Sequence, residues 1–527
     1  MKEMKPIKFE ELNIEQKLGM SMCALLGSNA ESNEFAYELI RRRSLGAVWI
    51  NPSEQSPVYM QKVKEIADYP ILIICDGENG FADLKVGSHN AIGISDSEEL
   101  AYIFGKSVAV NARNAGYNVV CNPVVDMAFG NCQCGMNTRC IGNDKEKVAR
   151  LAAAEIRGMH DGGLLSVCKH YPGQSSKEPC GDSHMAETCV TDSLEDIMNV
   201  NLYPYKYLID RGLLDGIMTT HCRFTSVDDV YPASLSKKCI DLIRNLGFDG
   251  FAITDALSMM GVVAKYGWEK SKAMAVGAGN DLALVWGDTQ RSYNAICKGY
   301  DEGMIADDVL DAIVKRVINS QNKTMAQPKY TSLTEEEKKD FERLNTDTIF
   351  AKVDEGLTPA ISKDARHYFV ILTEMDAEID GEGKITVDTF SKTFFKPLKI
   401  AEKLKELFPN SEFFAIKQFP TPGENMKVLE RNTAYDDVVF ITFTSAAAYV
   451  GEECFTSRIV SLMNSLQVTS RISAVVHFGN PYPIEALPHI PRILIGTRSE
   501  KNVEAALEVL AGAREAKGVL TYEVNLK

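Results

Sequence analysis

Asp255 is the residue whose setting first suggests chemistry. It follows the apolar run Phe251–Thr254 in the segment GFDGFAITDALSMMG, and small residues come after it. A carboxylate held at the end of a buried strand can attack an anomeric carbon and form a covalent glycosyl intermediate. The same spacing also suits an aspartate that caps the N-terminus of a helix. The spacing alone leaves both interpretations open.

A second group of residues combines imidazoles with a lysine and a carboxylate. Lys169 and His170 begin the segment KHYPGQ, and Asp182 and His184 stand two apart in GDSH. The Lys-His pair offers hydrogen-bond donors for sugar hydroxyls. In an extended loop, Asp182 and His184 lie on one side, where the carboxylate can orient the imidazole and support its protonated form. The alternative is an ordinary surface loop with an isolated histidine.

Eight short apolar runs in the first 290 residues predict the elements that position these side chains. They are apolar on both faces, as parallel strands buried from both sides are. Three segments between them carry helix start and stop signals, for example Ser236 as N-cap and Gly247 as stop. The alternation favours a (β/α)8 barrel. The runs are MCALLG, GAVWIN, ILIICD, NVVCNPVVD, LLSVCKH, GIMTTH, FAITD and LALVW.

Polar residues follow four of these runs at their C-terminal ends, which is the face where barrel active sites form. Asp76 ends the third run, Lys169 and His170 end the fifth, His221 ends the sixth and Asp255 ends the seventh. The sequence therefore predicts that these side chains meet at one barrel mouth.

The chain changes character after about residue 318. We predict a catalytic barrel over 1–325, a polar linker with a solvated helix over 326–350, and a second domain over 351–527. Five further apolar runs alternate with helix-like segments in the last region, which indicates an α/β sandwich with a mostly parallel, doubly wound sheet. No G-x-G-x-x-G follows any of these runs, so nothing supports dinucleotide binding.

Composition excludes several classes of partner. The net charge of −15 and the lack of a Lys/Arg cluster argue against nucleic acid. No apolar stretch is long enough to span a membrane, and the N-terminal residues have no apolar signal core. We therefore expect a cytoplasmic protein, a monomer or homodimer, that acts on a small carbohydrate without a cofactor.

Thirteen scattered cysteines suggest reduced thiols. Cys132, Cys134 and Cys140 form the one cluster among them, but their spacing fits no common zinc pattern. We interpret them as buried thiols and expect no metal site.

Together, the motifs resemble glycoside hydrolase family 3, and more closely its β-N-acetylglucosaminidase branch. KHYPGQ with GDSH is similar to K-H-F-P-G-H-G with D-S-H, and FDGFAITDALSMM is similar to F-x-G-x-x-x-(T/S)-D-x-L-x-M. The likeness covers nearly the whole chain. Further segments that match the family in order are DGENG, NPVVD, NTRCIGND, MTTH with PASLS, AGND and VVHFGNPYP.

This resemblance implies a role for each candidate residue. Asp255 would be the nucleophile, and His184, oriented by Asp182, would be the general acid/base in place of a carboxylate. Imidazoles titrate near neutrality, so one ring can donate a proton to the leaving oxygen and later accept one from water. Asp76, Arg139, Lys169 and His170 would hold sugar hydroxyls. His221 would either join them or act as a structural histidine.

Some departures from the family pattern leave the sugar open. Gln174 and Ser175 replace a His-Gly pair, and DGENGFADLK lacks a glycine and an arginine of the family segment. The main hypothesis is a retaining, exo-acting β-N-acetylhexosaminidase.

Three alternatives stay open beside this hypothesis. One is a β-glucosidase or β-xylosidase that draws a glutamate acid/base from the second domain, with Glu424, Glu452 and Glu453 as candidates. Another is a glycoside phosphorylase, because a histidine acid/base would not repel phosphate. The last is a non-catalytic sugar-binding protein.

Overall fold

The computed structural model describes most of the chain, and every structural statement below concerns the part that it describes. This part comprises residues 4–130, 136–174, 181–326, 332–373, 375–379, 385–389, 397–444 and 454–527.

Eight parallel strands form the first sheet, and each coincides with one of the eight apolar runs. The order around the sheet is β7-β6-β5-β4-β3-β2-β1-β8. A parallel bridge between Ile253 and Leu282 links β7 to the segment before β8 and nearly closes the barrel. The predicted (β/α)8 architecture is therefore confirmed. The strands are β1 (Met22–Leu26), β2 (Ala47–Ile50), β3 (Leu72–Asp76), β4 (Val119–Cys121), β5 (Leu165–Tyr171), β6 (Gly216–Thr219), β7 (Phe251–Thr254) and β8 (Ala283–Val285).

Helices surround this sheet, and most of them bury apolar residues. Ser97, Asp144 and Ser236 cap three of them through their side chains, as the sequence predicts. The helices are α1 (Ile14–Met20), α2 (Ala30–Arg41), α3 (Ser56–Ile66), α4 (Ala91–Ser95), α5 (Glu98–Ala115), α6 (Lys145–Asp161), α7 (Leu194–Asp196), α8 (Tyr203–Ile209), α9 (Lys237–Asn245), α10 (Met260–Tyr266), α11 (Lys270–Gly277), α12 (Thr289–Asp301) and α13 (Asp307–Ala326).

Short elements decorate the barrel. Gly80–Phe81 pairs with Leu84–Lys85, and Thr188–Val190 pairs with Cys222–Phe224. A π-helical turn covers Ile197–Asn201, and 3₁₀ turns cover Phe9–Glu11 and Ala233–Leu235.

A six-stranded sheet forms the second domain, in the order β9-β14-β13-β12-β10-β11. Its five parallel strands match the five apolar runs, which confirms the doubly wound sheet. The sequence reading missed β9, an antiparallel edge strand, because its four residues are only partly buried and show no apolar run. The strands are β9 (Phe350–Val353), β10 (His367–Thr373), β11 (Glu412–Lys417), β12 (Asp437–Phe443), β13 (Ile472–Phe478) and β14 (Arg492–Gly496).

Five helices lie at the domain junction and around the second sheet. They are α14 (Glu335–Thr346), α15 (Pro397–Leu407), α16 (Pro422–Arg431), α17 (Ser457–Gln467) and α18 (Glu500–Leu510). A separate hairpin pairs Met375–Ile379 with Ile385–Thr389, and 3₁₀ turns cover Asn432–Ala434 and Tyr482–Ala486.

The region predicted as a linker packs onto the barrel in its helical part. In α14, Phe341 is buried and stacks on Phe104 with ring centroids 6.1 Å apart. Glu337, whose side chain is mostly buried, pairs with Lys106 at 2.5 Å. One apolar residue per turn is thus enough to dock a largely charged helix. The exact domain boundaries stay a prediction.

The second domain and the C-terminal segment contact the barrel directly. Tyr482 Oη donates to Ala128 O at 3.0 Å, and Tyr522 Oη donates to Asn137 O at 2.6 Å. The N–H of Val519 donates to Ile94 O at 2.9 Å. The two tyrosine bonds hold the barrel loop that follows β4, and the Val519 bond holds α4.

Within the described residues, every helix is too short or too polar to cross a lipid bilayer. The ten cysteines placed there are free thiols, and six of the seven in barrel strands or their flanking loops are buried.

Candidate active site

The barrel brings the predicted polar residues to one end, as expected for parallel strands. Asp76 is the last residue of β3, Lys169 and His170 lie on β5, and Asp255 directly follows β7. The carboxyl ends of parallel strands share one edge, so these side chains converge on the barrel mouth.

Asp255 is held by its own backbone turn. Its N–H donates to Thr219 O at 2.9 Å, and its carboxylate accepts from the N–H of Ala256 at 2.7 Å. Burial raises the pKa of the Asp255 carboxyl, but the nearby imidazoles of His170 and His221 outweigh it. The pKa is therefore below its usual value. An aspartate kept ionised at the mouth of a pocket can act as a nucleophile.

Asp182 and His184 form a hydrogen-bonded pair. Asp182 Oδ1 accepts from His184 Nδ1 at 2.7 Å and from the His184 N–H at 2.9 Å, and the aspartate is buried. The bond to Nδ1 fixes the ring and directs Nε2 away from Asp182. This arrangement is the one that orients a general acid/base histidine.

The segment after Asp255 anchors the loop that carries this pair. At the start of α10, the N–H groups of Met260 and Gly261 donate to His184 O at 3.3 Å and Ser183 O at 3.0 Å. A Cβ atom at Gly261 would lie 2.6 Å from Ser183 O, so only glycine allows this approach. The backbone segment that follows the predicted nucleophile thereby holds the loop of the predicted acid/base.

A buried ion cluster lines the opposite side of the mouth. Glu78 accepts from Arg139 in a bidentate pair at 2.8 and 2.7 Å and also contacts Lys169 Nζ. Lys169 donates to Asp76 at 2.5 Å. Burial alone would raise the pKa of Glu78, but Arg139 and Lys169 hold it well below its usual value. The cluster therefore presents fixed donors and acceptors for sugar hydroxyls.

His170 joins the cluster through a carboxylate behind it. Asp126 accepts from His170 Nδ1 at 2.8 Å and from its N–H at 3.0 Å, and Arg139 lies 3.3 Å from Nε2. Asp126 also accepts from the N–H of Gln174 at 2.6 Å. One buried aspartate thus sets both the ring of His170 and the start of the loop that leads to Asp182.

His221 lies beneath the site with both ring nitrogens engaged. Nε2 donates to Ala256 O at 3.0 Å, and Nδ1 accepts from Ser234 Oγ at 2.7 Å. Burial lowers the pKa of His221, although the Asp255 carboxylate opposes this effect. The ring supports the Ala256 turn beside Asp255, which matches the structural reading of this residue.

Sequence reasoning did not single out Glu78 or Asp126 as site residues. Both stood in segments that were quoted for the family resemblance, DGENG and NPVVD. For Glu78 the signal was a second carboxylate close after the strand-end residue Asp76. The sequence could not show that each carboxylate contacts a side chain from a different strand.

Three glutamates and three cysteines bear on the alternative functions and on a metal site. Glu424 caps α16, where it accepts from the Thr421 N–H at 2.7 Å, and it lies exposed. Glu452 and Glu453 lie outside the described residues, as do Cys132 and Cys134. Cys140 is buried. Among the residues that the structure places, no three histidine, cysteine or acidic side chains gather as a metal would require.

Curated relatives match about half of the chain or less. A "Beta-hexosaminidase" of Tolumonas auensis is 28% identical over 282 residues, which cover 51% of this chain and 82% of that protein. A "Beta-hexosaminidase" of Pseudomonas aeruginosa is 34% identical over 195 residues, 37% of this chain. The match spans 57% of the length of the Pseudomonas protein.

Solved structures match nearly the whole fold. A glycoside hydrolase family 3 β-N-acetylglucosaminidase from Paenibacillus sp. str. FPU-7 superposes with a TM-score of 0.80 at 24% identity and covers 98% of this chain and 100% of its own. The β-glucoside phosphorylase BglX has a TM-score of 0.81 at 19% identity, with 98% and 95% covered. At these identities the likeness establishes the two-domain fold.

The family itself is established by the match to a family model. The model of the "Glycosyl hydrolase family 3 N terminal domain" covers residues 14–320, more than half of the chain and every barrel strand. Its span includes both residues proposed for the chemistry, Asp255 and His184. This protein belongs to glycosyl hydrolase family 3.

Proposed function

We propose that this protein is a retaining, exo-acting β-N-acetylhexosaminidase that works through a covalent glycosyl intermediate on Asp255. The observation that carries the proposal is the Asp182–His184 pair, tied by backbone hydrogen bonds to the turn that follows Asp255. A nucleophile and a separately oriented proton donor on one side of a barrel mouth are the two groups that a retaining mechanism needs.

In the first step, the ionised Asp255 attacks the anomeric carbon while His184 protonates the departing glycosidic oxygen. In the second step, the neutral imidazole accepts a proton from water, which attacks the same carbon and releases Asp255. Asp182 stabilises the imidazolium, which is present before the first step and again after the second. The lowered pKa of Asp255 favours the ionised carboxylate that attacks the anomeric carbon.

The side chains of the ion cluster bind the hydroxyls of the sugar. Lys169 is buried, and its pKa is raised because Asp76 and Glu78 outweigh the effect of burial. It therefore stays an ammonium that can donate to a hydroxyl. Asp76, whose side chain is 54% exposed, is the cluster member most open to ligand.

The N-acetylated sugar rests on the relatives whose names give the β-hexosaminidase activity. The cytoplasmic location and the monomeric or dimeric state stay predictions from the sequence.

The test is a side-by-side assay of nitrophenyl β-N-acetylglucosaminide and nitrophenyl β-glucoside, each in phosphate and in a phosphate-free buffer. We expect a kcat/KM at least about tenfold higher for the acetamido sugar, with free N-acetylglucosamine as product. A preference for the glucoside would contradict the proposed substrate. Formation of a sugar 1-phosphate in phosphate buffer would replace hydrolysis by phosphorolysis.

A further inference from the structure

The barrel mouth has an apolar side opposite its ion cluster, and no role has yet been given to it. It is formed where β8, β1 and β2 end. The register pairs Leu25 with Trp49 between β1 and β2, and Ala24 with Val285 between β1 and β8. The next pair in that register places Trp286 beside Leu25. Three apolar side chains thus stand in one row across three neighbouring strands.

This row faces the inside of the barrel. Trp49 pairs with Ile74, which lies two residues before Asp76 on β3. Residues two apart on a strand point to the same face, and Asp76 reaches inward to Lys169. The rings of Trp49 and Trp286 also contact each other across β1, with centroids 6.2 Å apart. Both indoles therefore lie on the interior face.

Trp286 stands one side-chain layer above the nucleophile. The bridge between Ile253 and Leu282 places Asp255 level with Leu284 on the neighbouring strand. Trp286 is two residues further toward the mouth, a rise of roughly 6–7 Å along a strand. In the sheet order, β8 lies four strands from β4, so Trp286 faces the loop that carries Asp126 and Arg139. A ligand that touches Asp255 passes between this indole and the ion cluster.

The indole is held in place from behind. Trp49 is 2% exposed, and its Nε1 donates to Asn51 Oδ1 at 2.7 Å, which fixes its ring. Trp286 packs on it at an interplanar angle of 52° and keeps part of its own surface open. A fixed aromatic surface that is partly open to a pocket is suited to contact with a ligand.

We propose that Trp286 is a sugar-binding residue, which packs against the C–H face of the pyranose ring whose anomeric carbon meets Asp255. A pyranose has hydroxyls around its edge and C–H groups on its faces. Its edge would meet Asp76, Lys169 and Arg139, and one face would meet the indole. Apolar walls with a few fixed polar groups are the usual composition of a small-molecule site. This inference rests on the proposed glycosidase function and adds the residue that recognises the ring itself.

The chain has three tryptophans, which allows a direct test by intrinsic fluorescence. Trp268 is the matched control, because it is also partly buried but packs against Lys272 and Arg291 on the outer helices. Free N-acetylglucosamine, and glucose in parallel, would be titrated into the wild type, Trp286→Phe and Trp268→Phe. We expect a saturable fluorescence change in the wild type and in Trp268→Phe, and its loss in Trp286→Phe. A change of full size in Trp286→Phe would overturn the proposal.

Kinetics provide the second arm. With nitrophenyl β-N-acetylglucosaminide, Trp286→Leu should raise KM by about tenfold, and Trp286→Phe should recover most of the loss because it keeps an aromatic face. Equal KM values for the wild type and Trp286→Leu would overturn the proposal while leaving the hydrolase function intact. If only glucose binds and quenches the Trp286 signal, the aromatic contact is supported and the N-acetylhexosaminidase proposal fails. Thermal unfolding midpoints would show that each variant is folded.

Discussion

Two parallel sheets in this molecule each place a buried histidine at a strand end, and the two sites differ in their partners. His170, on β5 of the barrel, is held by Asp126 and lies beside Arg139. His477, on β13 of the second sheet, donates from Nε2 to Asn480 O at 2.7 Å and accepts at Nδ1 from Thr442 at 2.8 Å. The barrel histidine belongs to a network of charges, whereas the second-sheet histidine has neutral partners.

The difference shows which strand ends can support chemistry. Burial lowers the pKa of His477 to about 4, so this ring is neutral and serves packing and hydrogen bonding. Around Asp255, burial is opposed by the imidazoles of His170 and His221 and by the Ala256 N–H, which lower the pKa of the carboxyl instead. A titratable residue at the end of a parallel strand is therefore not sufficient for catalysis. The barrel mouth is reactive because opposite charges converge there from several strands.

The largest effect that separates the two regions should come from Asp255→Asn. The amide cannot form the glycosyl intermediate, so kcat should fall by about 10⁴-fold or more. Glu424→Gln, at the exposed start of α16 in the second domain, is the matched carboxylate control and should retain nearly full activity. Steady-state hydrolysis of the nitrophenyl glycoside measures both. Loss of activity in Glu424→Gln would favour the reading in which the second domain supplies the acid/base.

The next largest effect should follow from Glu78→Gln. This change removes the shared counter-charge of Arg139 and Lys169 and leaves two buried cations, at a cost of about 3 kcal/mol in the free energy of unfolding. We also expect kcat/KM to fall by about 100-fold, mainly through KM, because the hydroxyl-binding groups lose their positions. Denaturation and kinetics on one preparation give both values. An unchanged KM would mean that the cluster only stabilises the fold.

The neutral histidine of the second sheet should affect stability and its pH dependence, but not catalysis. The folded-state pKa of about 4 lies below the ordinary value of 6.5, so the unfolded chain binds the proton first as pH falls. This contribution to stability is fully present above about pH 6.5 and is lost as pH falls toward 4. Between about pH 7.5 and pH 5 the loss is about 2 kcal/mol.

The variant His477→Gln should lack this part of the pH dependence. Urea unfolding of the wild type and the variant at both pH values gives the free energy of unfolding. The contribution of His477 is the difference between the two proteins in the slope of this free energy against pH. Equal slopes would show that folding leaves the pKa of His477 unshifted. Activity at neutral pH should change less than twofold, in contrast to substitutions around His170.

The smallest effect should come from Tyr522→Phe. This change removes only the hydroxyl that donates to Asn137 O, on the loop that leads to Arg139. A freer Arg139 should raise KM by about twofold to fivefold with little change in kcat. Tyr435→Phe, on the far side of the second sheet, is the control. An equal KM in both variants would show that the C-terminal segment does not position the sugar-binding loop.

Most of the fold could be predicted because a parallel strand that is buried on both faces has a continuous apolar sequence. All eight barrel strands and the five parallel strands of the second sheet appear as apolar runs. The edge strand β9 does not, since its residues are half solvated. The docking of α14 also escaped prediction, because it rests mainly on Phe341 in an otherwise charged segment.

The candidate site was predicted where its residues are close in sequence and was incomplete where they are distant. Asp182 and His184 are two apart, so their pairing followed from local geometry. Glu78 meets Lys169, and Asp126 meets His170, across different strands. Such contacts depend on barrel register, which a single sequence does not encode in any short segment.

The most direct test of the central claim compares His184→Ala on two substrates that share the same sugar. For nitrophenyl β-N-acetylglucosaminide the leaving group needs little protonation, whereas a disaccharide of N-acetylglucosamine needs a proton donor. We predict that kcat/KM falls at least about 100-fold more for the disaccharide than for the nitrophenyl glycoside. Equal losses on both substrates would contradict the assignment of His184 as the general acid.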